Sequence, residues 1–89
     1  MKFSPMEIKE AQKIIEEVYG EKDRERGVYA DLVWLGEELG ELFKAVRENK
    51  SIEEEVADVF AWLLSVANVL GIDVEEAFKM KYLTSQGPP

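Results

Sequence analysis

The chain has 89 residues, with 19 Asp and Glu against 11 Lys and Arg, and a formal net charge of -8. That length implies one domain, residues 1–89, and the acid excess argues against a nucleic-acid partner and against anionic membrane surfaces. Cysteine and histidine are both absent, which excludes disulfides, thiolate metal sites, cysteine nucleophiles, histidine-based triads and most zinc and iron centres.

The pattern of apolar residues predicts four helices. In the first, Ser4 is the expected N-cap, Pro5 suits the first helical position and Glu7 completes a capping box. Ile8, Ala11, Gln12, Ile15 and Val18 or Tyr19 follow at helical spacing, and Gly20 is the expected stop. Residues 21–27 are strongly charged and read as a loop, with Arg24 and Arg26 as solvated charges. The second helix is expected from Val28 to Glu48, on a stripe of Val28, Leu32, Leu35, Leu39, Leu42, Phe43 and Val46. Ser51, with Glu54 three residues on, caps a third helix that runs to Leu70 and stops at Gly71. Asp73, with Glu76 three residues on, caps a fourth, and residues 83–89 are expected to fray. No strand pattern or repeat is present, so the fold class is all-α, a small four-helix bundle. The N-terminal residues lack the apolar run of a signal peptide. The longest apolar run, Val59 to Leu64, is too short to span a bilayer. A cytoplasmic protein without membrane contact is expected.

The third helix is apolar around nearly its whole circumference, from Val56 to Leu70. Such a helix is buried on more than one side, which a small monomer supplies poorly. The expectation is a bundle completed by homo-oligomerisation, as a dimer or tetramer. The competing arrangement is a central helix wrapped by the other three. Gly36 and Gly40, four residues apart, give a smooth patch for another helix to approach. Each costs about 1 kcal/mol relative to alanine inside a helix.

Two acidic motifs stand out: Glu37-Glu38-Leu39-Gly40-Glu41 and Glu55-Val56-Ala57-Asp58. Residues three apart are neighbours on a helix surface, so Glu38 pairs with Glu41 and Glu55 with Asp58. At about 100° per residue, Glu38 lies about 60° and Glu41 about 120° from the apolar line through Leu35, on the same side. Glu37 points nearly opposite to Leu35. On the third helix, Glu55 shares a line with Trp62, Val66 and Val69, and Asp58 lies about 60° from it. Unpaired carboxylates bordering a core need a cation. Without histidine, an all-carboxylate set suits magnesium, or manganese in its place, rather than zinc. Magnesium keeps several waters and engages substrate phosphates, which points to phosphate-ester or phosphoanhydride chemistry with an activated water.

The two motifs and their flanking text resemble the MazG-like nucleotide pyrophosphohydrolases of the all-α NTP pyrophosphatase superfamily. The resemblance runs through Trp34-Leu35-Gly36-Glu37-Glu38-Leu39-Gly40-Glu41-Leu42, then Glu54-Glu55-Val56-Ala57-Asp58-Val59, then Gly71 to Phe78 with Lys81. It implies hydrolysis of a nucleoside triphosphate to a monophosphate and pyrophosphate, with magnesium carrying the phosphates. By position it implies Glu38, Glu41, Glu55 and Asp58 as metal ligands and Glu37 as a supporting or water-orienting acid. It also implies a phosphate contact for Lys81. Trp62, one turn beyond Asp58, either stacks on the base or belongs to the core or an interface. The alternative function is an oligomeric helical module that binds a metal or nucleotide without turning it over.

Overall fold

Apolar stripes of period 3.6 and well-placed end signals produce four helices. The computed structural model describes residues 3–84. It contains α1 (Ile8–Arg26), α2 (Val28–Glu48), α3 (Ile52–Leu70) and α4 (Val74–Tyr82), with no strand among the described residues. The bundle is built on an α2–α3 hairpin, its most extensive helix pairing; α1 packs on α3 and more lightly on α2, and α4 rests on α1. No single helix among the described residues is long and apolar enough to cross a membrane.

The hairpin turn is fixed by backbone hydrogen bonds. Asn49 takes the left-handed conformation (φ 53°). Its N–H donates to the Val46 carbonyl at 3.2 Å, and Lys50 N–H donates to the Ala45 carbonyl at 3.0 Å. This pair of bonds satisfies carbonyls that the helix end would leave bare. The same device closes α3. Gly71 sits at φ 71°, and Ile72 N–H reaches the Ala67 carbonyl at 2.9 Å. Asp73 caps α4 as expected, its carboxylate accepting from Glu76 N–H at 3.0 Å. That hydrogen bond, followed by Lys9, holds the Asp73 carboxyl below the usual carboxylate range.

Three sequence expectations are corrected. α1 begins one turn later than expected, with Glu7 as the N-cap and Glu10 accepting from Glu7 N–H at 3.2 Å. Phe3 and Met6 are exposed, so no packing holds a turn at Ser4 and Pro5. The helix then runs through Gly20 and residues 21–26 instead of stopping. Arg24 pairs with Glu16 at 2.7 Å, and these two side chains close over the bare Gly20 backbone. The break comes at Gly27, where φ of 92° is a conformation that suits glycine. Finally, Ser51 makes no side-chain cap. It is left-handed (φ 59°), which turns it away from the β-region geometry an N-cap needs. The expected fraying of residues 83–89 falls mostly outside the described residues; Leu83 and Thr84 lie just past the end of α4.

One side chain joins α1, α3 and the α3–α4 turn. Gln12 Nε2 donates to Asn68 Oδ1 at 2.9 Å and to the Ile72 carbonyl at 2.7 Å, while Gln12 Oε1 accepts from Val74 N–H at 3.0 Å. Each such bond contributes about 1 kcal/mol net. Gln12→Ala is therefore expected to destabilise the fold by about 2–3 kcal/mol, seen as a lower urea midpoint at unchanged slope. Equal midpoints for the two proteins would refute this role.

The core within one chain is small. The buried apolar side chains among the described residues are Ala45, Leu64, Val66 and Ala67. Large apolar groups on every helix remain exposed, among them Ile14, Val18, Val33, Phe43, Val46, Phe60, Leu63 and Phe78. α3 is not wrapped by the other three helices: its principal partners are α1 and α2. Among the described residues, no atom lies within 4 Å of where a Cβ would stand on Gly36 or Gly40.

Candidate metal centre

The α2–α3 hairpin sets two acid-bearing helix faces side by side. Glu38 on α2 meets Glu55 and Asp58 on α3, each offering a carboxylate oxygen within 4.8 Å of the others. Glu38 and Glu55 are half-buried and Asp58 is exposed. Burial pushes the Glu38 carboxyl up from its ordinary value, and the charges of Asp58, Glu55 and Glu41 push it further. No ion pair among the described residues engages any of these acids. The site therefore holds concentrated, uncompensated negative charge on oxygen donors, the donor set preferred by hard divalent cations.

A cavity of about 570 Å³ opens over the cluster, lined by Trp34, Glu37, Glu38, Gly40, Glu41, Glu55 and Asp58. That volume lies in the range of small-molecule sites. Glu41 lines the cavity but stands outside the three-carboxylate group, in keeping with its wider angle from the apolar line. Glu37 is exposed on the same wall. The structure does not place Trp62 or Lys81 on this wall. Trp62 is half-buried behind it, stacked on Trp34 with ring centroids 5.8 Å apart and planes 10° from parallel. Lys81, on α4, is exposed, with its ammonium 5.8 Å from the centre of the Tyr82 ring.

Sequence reasoning missed the support behind the cavity. Asp23 and Asp31 are buried, at 2% and 0% exposure. Arg26 is not a solvated loop charge: its Nη1 bonds Asp31 Oδ1 at 2.6 Å and Asp23 Oδ1 at 2.9 Å. The hydrogen bond to Asp31, then that to Asp23, raise its pKa further. The guanidinium also lies over Trp62, 5.2 Å from the ring centre, at cation–π distance. The second carboxylate oxygens of Asp23 and Asp31 are buried with no hydrogen-bond partner among the described residues. The available signal was the spacing of Asp23 and Arg26, three apart, with Asp31 on the Glu38 flank of α2. It stayed hidden while Gly20 was read as a stop. Arg26→Met would leave two buried carboxylates without their cation, at a cost of about 3–5 kcal/mol. Chemical denaturation measures it; a loss below about 1 kcal/mol, the worth of a surface pair, would contradict the arrangement.

Fold and site together define an all-α protein with a carboxylate centre set between two adjacent helices. The family model for the MazG nucleotide pyrophosphohydrolase domain matches residues 29–83, and the chain belongs to that family. It is also similar to the uncharacterized protein YpjD of Bacillus subtilis (strain 168), at 33% identity over 87 residues, covering 75% of this chain and 78% of YpjD. The matched segment contains both acidic motifs and Trp34. α1, which supplies Asp23 and Arg26, precedes it.

Proposed function

We propose that the protein is a magnesium-dependent nucleoside triphosphate pyrophosphohydrolase, releasing a nucleoside monophosphate and pyrophosphate. Membership of the family supports pyrophosphohydrolase chemistry. The observation that carries the metal-dependent reading is the convergence of Glu38, Glu55 and Asp58 within 4.8 Å, with no basic partner among the described residues. The donors are all carboxylate oxygens, which fit magnesium or manganese. Glu38, Glu55 and Asp58 would hold the ion, with Glu41 reaching it from the cavity wall or through a water. Bound magnesium would neutralise phosphate charge and lower the pKa of a bound water.

The chain's own acids do the rest. Glu37 lines the cavity outside the cluster; in this reading it would orient the attacking water and take its proton on the carboxylate. The water oxygen forms a bond to the α-phosphorus, and the α,β-bridging P–O bond breaks with its electron pair on pyrophosphate. Half-burial of Glu38 and Glu55 strengthens each electrostatic contact at the site relative to bulk water. Nucleotide pyrophosphohydrolase chemistry would suit the removal of non-standard nucleotides from the nucleotide pool.

The working form is a homo-oligomer in this reading. The support is the small single-chain core and the apolar trough lined by Met6, Ile14, Ile15, Phe60, Ala61 and Leu64. Contiguous apolar surface of this kind marks an interface. The function is tested with a panel of standard and modified nucleoside triphosphates, reading monophosphate and pyrophosphate with and without magnesium. Magnesium-dependent release of both products is expected. Nucleotide binding without turnover across the panel would leave a binding module instead.

A further inference from the structure

We infer that Trp34 is the surface on which the nucleobase stacks, and that the triphosphate runs from it along the α2–α3 groove towards Lys44 and Lys50. The inference rests on the pyrophosphohydrolase reading above and assigns the substrate's direction within it. Trp34 is 45% exposed and is the aromatic residue on the wall of the carboxylate cavity. Its ring is backed by the parallel ring of Trp62, which in turn lies under the Arg26 guanidinium. Arg26 is tied to two buried aspartates. The platform is therefore fixed from behind by a stack that ends in a buried ion network. Trp62 already has Trp34 and Arg26 against its ring and does not line the cavity, so the accessible π-face belongs to Trp34.

The opposite end of the groove has different chemistry. A second cavity, of about 200 Å³, shares Glu41 and Glu55 with the first and continues past them to Lys44, Glu48, Lys50 and Ser51. The order along the groove is thus Trp34, the carboxylate cluster, then Lys44 near the end of α2 and Lys50 in the turn beyond it. Trp34 and Lys44 are ten residues apart, about 15 Å at 1.5 Å rise per residue, which suits an extended nucleoside triphosphate. Glu48 lies among the lysines, so the two ammonium groups give a modest attraction for the phosphate tail. With the carboxylates at the centre of the groove, the α-phosphate lies at the cation site while base and terminal phosphate occupy the two ends.

The test is equilibrium binding in magnesium, by calorimetry, of non-hydrolysable α,β-methylene triphosphates carrying each base, with inorganic tripolyphosphate as the probe lacking a base. Stacking is sequence-tolerant and strong enough that Trp34→Leu is expected to weaken nucleotide binding on the order of tenfold. Tripolyphosphate affinity should stay unchanged, and Trp34→Phe, which keeps a π-face, should restore most of the loss. Lys44→Ala with Lys50→Ala should weaken nucleotide and tripolyphosphate alike. Equal loss of both ligands in Trp34→Leu, no loss of either, or a lysine effect confined to nucleotides would overturn the inference while leaving the pyrophosphohydrolase reading intact. Failure of the unaltered protein to bind any nucleotide in magnesium would overturn both.

Discussion

Replacing Glu38 with glutamine, or Asp58 with asparagine, is expected to abolish turnover and at the same time stabilise the metal-free protein. The two effects share one cause. Glu38 is pressed by burial and by the charges of Asp58, Glu55 and Glu41, so the empty cluster opposes folding. A neutral amide of the same shape relieves that repulsion. With magnesium present the order reverses. At ten times its dissociation constant, a cation that binds only the folded state adds about 1.4 kcal/mol. That raises the melting temperature by about 5–10 °C in a domain of this size. Both variants should lose this gain. Loss of a metal ligand removes several kcal/mol of transition-state stabilisation, so kcat/KM should fall on the order of a thousandfold. Thermal melts with and without magnesium, beside pyrophosphate release, read both effects. A variant that is less stable without metal, yet still stabilised by magnesium, would place the ion elsewhere.

Phe60→Glu is expected to separate the proposed homo-oligomer into poorly folded monomers. Phe60 is 39% exposed in the single chain and Ile14 beside it 47%, and both line an almost wholly apolar trough with Met6, Ile15, Ala61 and Leu64. A second copy covering this trough would bury the same residue twice across a two-fold axis. An anchoring aromatic residue contributes 2 kcal/mol or more at an interface, so two copies give about 4 kcal/mol. That corresponds to roughly a thousandfold in the dissociation constant. Because Ala45, Leu64, Val66 and Ala67 are the buried apolar groups among the described residues, the freed monomer should also lose cooperative unfolding. Sedimentation velocity and thermal melts across the micromolar range make the comparison. A wild-type protein that stays monomeric and melts cooperatively would show that the trough is not a contact between copies.

The helix count, the bounds of α2, the end of α3 and the start of α4 were legible because local chemistry decides them. Gly71 acts through its own backbone conformation, and Asp73 through a carboxylate that accepts from an N–H three residues on. α1 was misread at both ends because the deciding interactions are not local. The bridge from Glu16 to Arg24 spans two turns across Gly20, and α4 anchors the start of α1 through the Lys9 N–H bond to Glu75 Oε1 at 3.1 Å. In the site, helical angles set Glu38 closer to the core than Glu37 and Glu41, and Glu38 is half-buried where the other two are exposed. They did not show that Trp34 stands in front of Trp62, or that Asp23, Arg26 and Asp31 meet behind both. Those facts depend on how α2 pairs with α3 and on how α1 lies against that hairpin, which no single-helix projection contains.

The central claim is cation-dependent attack of water on the α-phosphorus at the Glu38–Glu55–Asp58 cluster. It is tested most directly by running the reaction in heavy-oxygen water with magnesium and locating the label by mass spectrometry. The expected result is one heavy oxygen in the nucleoside monophosphate and none in pyrophosphate, with no products when magnesium is withheld. Label in pyrophosphate, or release of orthophosphate in its place, would contradict it.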